Sequence, residues 1–139
     1  MNDGFNLQRF VDAQASVYDE VRRELRAGRK ESHWIWFVFP QIAGLGQSPT
    51  SVRFAISSLA EASAYLAHPI LGPRLRECAK LVLEVEGRTA IEIFGPLDAT
   101  KFRSSMTLFA RAAPDEDVFQ RCVDKYFAGS PDPATLARL

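Results

Sequence analysis

Residues 7–25 read LQRFVDAQASVYDEVRREL, and the spacing of their apolar side chains indicates the fold class. Apolar side chains recur three or four residues apart, from Leu7 through Phe10 to Leu25. This period matches the turn of an α-helix, so these side chains form one face of an amphipathic helix. The pattern therefore predicts a single helix over 7–25, which ends near Gly28.

The same helical period recurs along the rest of the chain, between residues that commonly begin or end helices. These boundary residues are Ser48-Pro49 and His68-Pro69, Gly72-Pro73 and Gly87, Asp98 as an N-cap and Pro114, Asp115 and Gly129, and Asp132-Pro133 before a last turn. Serine or aspartate at the N-cap, proline in the first turn and glycine at the end are typical helix signals. They predict four further helices and a short C-terminal one.

Two short apolar runs, 34–39 and 91–94, fit either a strand or a buried helical turn. A small β-ribbon made from them would be only marginally stable, and every flanking segment is helical. We therefore predict helix for both runs. The expected fold is all-α, a compact multihelical single domain over residues 1–139 with about six to seven helices.

Composition narrows the classes of protein to be considered. A chain of 139 residues, 47% of them hydrophobic, is long enough to bury one core. Its 17 basic residues balance 17 acidic ones, so no net charge favours nucleic acid as a partner. The longest apolar run, 34–39, is far shorter than the ~20 residues of a membrane span. The N-terminus has no signal-peptide pattern, so a cytoplasmic location is expected.

Cysteine and histidine usage does not suggest a metal site or a cofactor. Cys78 and Cys122 are far apart in the sequence and lie within helical patterns, as expected of buried free thiols. The two histidines, His33 and His68, do not form a metal-binding spacing such as His-Glu-x-x-His. No bound metal and no cofactor are therefore expected.

The densest group of unusual side chains lies in residues 28–41, GRKESHWIWFVFPQ. A tryptophan ring can stack on a planar ligand, and a lysine can neutralise an anionic one. Lys30, Trp34, Trp36 and Gln41 are therefore candidate ligand-binding residues. The alternative is that both tryptophans are core residues and that the basic side chains only complete the end of the first helix.

A second polar group lies in the first turns of the helix predicted after Asp98. Its candidate ligand-binding members are Lys101, Arg103, Ser104 and Ser105. This helix is apolar on more than one side and is expected to be central, so its cations would be partly buried and would need an anionic partner. That partner is either a ligand phosphate or carboxylate, or an internal carboxylate. The internal candidates are Glu31, Asp98 and Glu77.

Three side chains are candidates for catalytic roles. His33 stands beside Ser32 and is the better placed of the two histidines to act as a general base, with Asp98 as a further acid–base or hydrogen-bonding group. No Gly-x-Ser-x-Gly nucleophile elbow is present, and Ser104 and Ser105 lie within a predicted helix. The residues alone leave open whether the chain is an enzyme.

Several long motifs run through almost the whole chain. They are RFVDAQ at 9–14, GRKESHWIWFVFPQ at 28–41, GLG at 44–46, FAISSLAEA at 54–62, HPILGPRL at 68–75 and IFGPLDATKFRSSMTLF at 93–109. In these motifs the chain resembles a family of bacterial and fungal proteins known as domain of unknown function 1810. The resemblance implies a multihelical fold and no established activity, substrate or cofactor. Such proteins are sometimes labelled calpastatin, but that inhibitor is a flexible chain, whereas this composition is typical of a packed domain.

These observations support two hypotheses about function. The first is a pocket walled by Trp34 and Trp36, in which Lys30, Lys101 and Arg103 bind a small anionic molecule such as a nucleotide or an ADP-ribose-like compound. The second is a non-catalytic interaction module that presents an aromatic patch, residues 34–39, to a protein partner or to a second copy of the chain. Solvent exposure of the tryptophans distinguishes the two.

Overall fold

The computed structural model describes residues 4–139. Within that range the chain forms ten helices: α1 (Gln8–Ala15), α2 (Tyr18–Arg26), α3 (Ile35–Val38), α4 (Pro49–Arg53), α5 (Leu59–Ala67), α6 (Leu71–Leu83), α7 (Ala90–Phe94), α8 (Pro96–Ala112), α9 (Asp117–Phe127) and α10 (Pro133–Leu136). Six of these helices have eight or more residues. The predicted all-α, multihelical fold is confirmed.

The long helix α8 lies at the centre of the fold. It packs against α3, α5, α7, α9 and α10, and it buries Phe102, Met106, Leu108 and Phe109. The Phe102 ring stacks on Phe94 at a centroid distance of 4.7 Å and meets Phe39 edge to face at 4.9 Å. Aromatic rings thus join α7, α8 and the end of α3 in one core, as a helix with apolar side chains on several faces requires.

The predicted single helix over 7–25 is wrong, because the chain forms α1 and α2 with residues 16–17 between them. Gln14 near the end of α1 is buried, and its amide donates to the Phe37 carbonyl at 2.7 Å and to the Tyr65 hydroxyl at 3.1 Å. α1 packs against α3, whereas α2 packs against α6. One straight helix could not pack its apolar face against both α3 and α6. Packing against these two partners therefore breaks the helix, although the apolar period continues through the break.

The second predicted helix is also two helices, α4 and α5, with residues 54–58 between them. Ile56 in this segment is fully buried. Its N–H donates to the Gln41 carbonyl and its carbonyl accepts from the Ala43 N–H, each at 2.8 Å. These bonds form an isolated parallel β-bridge between Ile42 and Ile56, and the structure assigns no strand in the part of the chain that it describes. Buried backbone groups must be paired, and this pairing replaces a helical turn.

The two ambiguous apolar runs are both helical, as predicted: α3 occupies most of 34–39 and α7 covers 91–94. The prediction of Asp98 as an N-cap is wrong, because α8 begins earlier, at Pro96 after the N-cap Gly95. Gly95 has a φ of 83°, a backbone conformation that favours glycine, and proline suits the first helical position. Asp98 therefore lies inside the first turn of α8.

The structure also bears on two expectations from the sequence, that no helix spans a membrane and that both cysteines are buried free thiols. No helix within residues 4–139 has the length and apolar character that crossing a bilayer requires. The thiols of Cys78 and Cys122 are both free and buried, and burial raises the pKa of each to about 12. Both side chains therefore act as small apolar groups of the core, as predicted.

Candidate functional site

The predicted site residues Lys30, Asp98 and Lys101 come together in one cluster, called here the Lys30 cluster. The Lys30 ammonium lies 2.7 Å from Asp98 Oδ2, and the Lys101 ammonium lies 3.5 Å from Asp98 Oδ1. Their side chains are 6%, 21% and 24% exposed for Lys30, Asp98 and Lys101 respectively. Two ammonium groups thus share one carboxylate in a partly buried position.

Local structure explains why residues so far apart in sequence meet. The Lys30 N–H donates to the Ile93 carbonyl at 2.7 Å, which holds the loop after α2 against α7. α8 begins two residues after the end of α7, so its first turn places Asp98 beside that loop. Lys30 also donates to the Ser32 carbonyl at 2.5 Å, and its ammonium lies 5.0 Å from the centre of the Trp34 ring.

The buried carboxylate of Glu24 organises the same loop. Glu24 accepts hydrogen bonds from the backbone N–H of Glu31 at 2.8 Å, from the N–H and hydroxyl of Ser32 at 3.0 and 2.6 Å, and from the Trp34 indole at 2.9 Å. Burial by itself would raise the pKa of this carboxyl. The hydrogen bonds from Ser32, Glu31 and Trp34 outweigh burial and lower the pKa to about 2.

The structure does not bring the predicted catalytic residues into an acid–base arrangement. The Ser32 hydroxyl donates to Glu24, and a carboxylate with a pKa of about 2 is a weak base at neutral pH. His33 is exposed, and its side chain has no hydrogen bond or ion pair among the described residues. Asp98 is held between two ammonium groups. This arrangement suits binding better than proton transfer.

The two tryptophans occupy different surroundings. Trp34 is 1% exposed and donates its indole N–H to Glu24, so it belongs to the core. Trp36 is half-buried and lines a narrow crevice together with Gln41. The two rings therefore do not form opposite walls of a common pocket. Most of the 34–39 run is buried as well, which leaves no continuous aromatic patch there.

The other predicted residues of α8 hold the C-terminal segment. Arg103 donates to the carbonyls of Ser130 and Pro131 at 3.0 and 3.1 Å and has no carboxylate partner among residues 4–139. The Ser104 hydroxyl donates to Asp132 at 2.7 Å. The hydroxyl of Ser105 is buried and has no hydrogen-bond partner in the described part of the chain. Arg103 thus turns away from the Lys30 cluster, while Lys101 turns toward it.

A surface cleft larger than the crevice at Trp36 lies away from the Lys30 cluster and was not predicted from the sequence. It has a volume of about 540 Å³, is called here the Arg9 cleft, and is lined by Gly4, Phe5, Asn6, Arg9, Arg53, Ala55, Ser57 and Glu61. At its base Arg9 and Glu61 form an ion pair of 3.0 Å, with side chains only 14% and 3% exposed. The spacing Ser58-x-x-Glu61 is the pattern of a helix start, and it could have marked the break that opens this cleft.

Similarity to known proteins covers nearly the whole chain. It is similar to a crystal structure of the conserved hypothetical protein Rv1873 from Mycobacterium tuberculosis, with a TM-score of 0.97 and 58% sequence identity over 99% of this chain and 98% of that one. No curated protein matches it. The family model described as protein of unknown function (DUF1810) matches residues 4–139. This match covers nearly the whole sequence, and the chain therefore belongs to the DUF1810 family.

Proposed function

We propose that this protein binds a small anionic molecule, a phosphate or a carboxylate, at the Lys30 cluster. The observation that carries the proposal is the sharing of one carboxylate, Asp98, by two ammonium groups, those of Lys30 and Lys101. Lys30, Lys101 and Asp98 together carry one net positive charge, and the ionised carboxylate of Glu24, which binds Ser32 and Trp34 in the same loop, offsets part of it. Lys101 holds the shared carboxylate only at 3.5 Å, and a ligand oxyanion would give this ammonium a second, closer partner.

Lys101 is the side chain that would contact the ligand. Lys30 is nearly buried and has two close partners, Asp98 Oδ2 at 2.7 Å and the Ser32 carbonyl at 2.5 Å. The Lys101 ammonium, by contrast, is 3.5 Å from Asp98 and is more exposed. It can turn toward a bound anion without breaking a short hydrogen bond, while Lys30 maintains the positive potential.

The first turn of α8 adds to this potential. α8 is 17 residues long, begins at Pro96, and has no side-chain cap on its N-terminal N–H groups. The N-terminal end of a long helix carries a partial positive charge. Asp98 in this turn already neutralises part of that charge, so an anion would be drawn mainly by the surplus ammonium of Lys101.

The geometry supports a simple oxyanion better than a stacked nucleotide base. Stacking needs an exposed aromatic ring, and Trp34 beside Lys30 is buried against Glu24. The ligand class that fits is therefore a phosphate-bearing or carboxylate-bearing small molecule, recognised through charge. The proposal is one of binding and does not include a catalytic step.

Isothermal titration with inorganic phosphate and with ADP, at constant ionic strength, tests this proposal. Lys101→Met leaves Lys30 and Asp98 as a neutral pair, and we expect it to weaken phosphate binding by about tenfold. Lys80→Met, which removes an exposed lysine from α6, is the matched control and should bind as the unchanged protein does. Absence of binding by the unchanged protein, or equal affinities of the two variants, would overturn the proposal.

A further inference from the structure

We infer that the Arg9 cleft is a second binding site, which takes a small organic anion that also carries an apolar group. Its volume of about 540 Å³ is in the range of small-molecule sites, roughly 300–1,000 Å³, and it is broadly open to solvent. The cleft is formed by the segment before α1, by α1, and by the connection from α4 to α5. It shares no residue with the Lys30 cluster, so it does not depend on the function proposed above.

The base of the cleft is already ordered, because Arg9 uses all five of its guanidinium N–H groups. They donate to the carbonyls of Arg53 at 2.8 Å, Phe5 at 2.7 Å, Asn6 at 2.8 Å and Ala55 at 2.9 Å, and to Glu61 Oε2 at 3.0 Å. Arg9 thereby ties three chain segments together. A site held in this way loses little conformational entropy when a ligand binds.

Glu61 balances the charge of Arg9 and completes the rigid base. Its Oε1 accepts from the N–H of Ser57 at 2.9 Å and from the Ser57 hydroxyl at 2.8 Å. Both carboxylate oxygens therefore have partners inside the protein. The ion pair of Arg9 and Glu61 is neutral as a unit and leaves neither residue in need of a ligand.

Arg53 is the lining residue whose charge is unbalanced. Its guanidinium lies 5.0 Å from the centre of the Phe54 ring and forms no ion pair within residues 4–139. Two guanidinium groups and one carboxylate give the cleft one net positive charge. An exposed guanidinium without a carboxylate partner among the described residues is available to bind a phosphate or carboxylate through two parallel N–H groups.

The lining also contains an exposed aromatic side chain, and this side chain indicates that the ligand has an apolar part. Phe5 is 38% exposed and lines the cleft together with Arg53 and Ala55. An exposed ring beside an unpaired guanidinium suits a molecule that combines an oxyanion with an aromatic or aliphatic group. Inorganic phosphate alone would use only the charge.

Phenyl phosphate and inorganic phosphate are the probes that test the inference, with binding followed by amide chemical shifts and by titration calorimetry. We expect phenyl phosphate to shift the amide signals of Ala55 and Ser57, and to bind more tightly there than inorganic phosphate does. Arg53→Met should weaken phenyl phosphate binding at these signals by about tenfold. Arg26→Met, which removes another exposed arginine, is the matched control and should have no such effect.

Lys101→Met separates this inference from the function proposed above. It should leave the phenyl phosphate shifts at Ala55 and Ser57 unchanged, whether or not the Lys30 cluster binds anions. The inference is overturned if phenyl phosphate does not shift those signals, or if Arg53→Met binds it as tightly as Arg26→Met does. Shifts confined to Leu97 and Asp98 would overturn the second site and leave the Lys30 cluster supported.

Discussion

The indole N–H of Trp34 donates to the buried carboxylate of Glu24 at 2.9 Å and joins the loop before α3 to the last turn of α2. The same carboxylate accepts the N–H and hydroxyl of Ser32, and the loop between these residues carries Lys30 toward Asp98. The position of the Lys30 cluster thus depends on one buried charge. A carboxylate with four donors around it is well compensated for its loss of water.

Replacing Glu24 by glutamine should destabilise the protein by about 3 kcal/mol. The amide group offers one acceptor oxygen instead of two, and its NH₂ would face the Ser32 hydroxyl or backbone N–H groups that need an acceptor. Urea unfolding at pH 7 measures the loss. Glu20→Gln is the matched control on the same helix, since Glu20 only pairs with Arg23 at the surface, and it should cost less than about 1 kcal/mol. Equal losses for the two variants would contradict the structural role of Glu24.

Glu24 should also make the free energy of unfolding depend on pH. The pKa of Glu24 falls from an ordinary value of 4.5 to about 2 in the folded protein. Its contribution, about 3 kcal/mol, is therefore fully present above pH 4.5 and is lost as the pH falls from 4.5 toward 2. The free energy of unfolding, measured across this window, should decrease with a smaller slope in Glu24→Gln than in the unchanged protein.

Some acid dependence should remain in that variant. The pKa values of Glu116 and Asp132 are also lowered, Glu116 chiefly by its hydrogen bond to Arg76, and Asp132 by hydrogen bonds from Thr135 and Ser104 that outweigh its burial. If the two slopes proved equal between pH 2 and 4.5, Glu24 would not be the charged acceptor that its surroundings indicate.

Asp98→Asn should cost about 2 kcal/mol of stability, because it leaves the nearly buried Lys30 ammonium without a carboxylate. The remaining partner of that ammonium is the Ser32 carbonyl. Lys101→Met at the exposed end of the cluster should cost less than about 1 kcal/mol. Chemical unfolding of both variants checks the order, and a larger loss for Lys101→Met would mean that the Lys30 pair is not the stronger contact.

Gly72→Ala should destabilise α6 by about 3 kcal/mol, since the added Cβ would overlap the backbone carbonyl oxygen of Leu66. A backbone atom cannot rotate away as a side chain can. Gly87→Ala offers the contrast: the Cβ would meet open space, and only the φ of 73° is unfavourable for alanine, at about 1 kcal/mol. Thermal unfolding ranks the two variants, and the reverse order would contradict the close approach at Gly72.

The sequence predicted the elements that depend on short-range periodicity. The helices around Leu75, Phe102 and Phe119 follow from apolar side chains three and four residues apart. The helical state of residues 34–39 and 91–94 was predicted differently, from the marginal stability of a two-stranded ribbon and from the helical segments that flank both runs. It did not predict the breaks at 16–17 and 54–58. These breaks depend on contacts with residues distant in the sequence. At 54–58, for example, the backbone of Ile56 is hydrogen-bonded to Gln41 and Ala43. The apolar period of a local segment carries no information about such contacts.

The candidate site was likewise predicted only in part from the sequence. Lys30 could be chosen from the sequence because a lysine among tryptophans can neutralise an anionic ligand, and Lys101 because a partly buried cation needs a partner. Asp98 was among the internal carboxylates considered as that partner. The sequence could not place Arg103, which binds carbonyls near the C-terminus, or Trp34, which lies against Glu24. It also gave no indication that Arg9 and Arg53 line a common cleft.

The sequence by itself therefore determined an all-α chain and its family, because helical periodicity and long motifs are properties of neighbouring residues. Only the tertiary structure decided which charges are paired. Lys30 and Asp98 lie far apart along the chain, and their 2.7 Å contact arises when α7 and α8 pack beside the loop after α2. Electrostatic energies depend on distance and burial in three dimensions, and neither is encoded in local spacing.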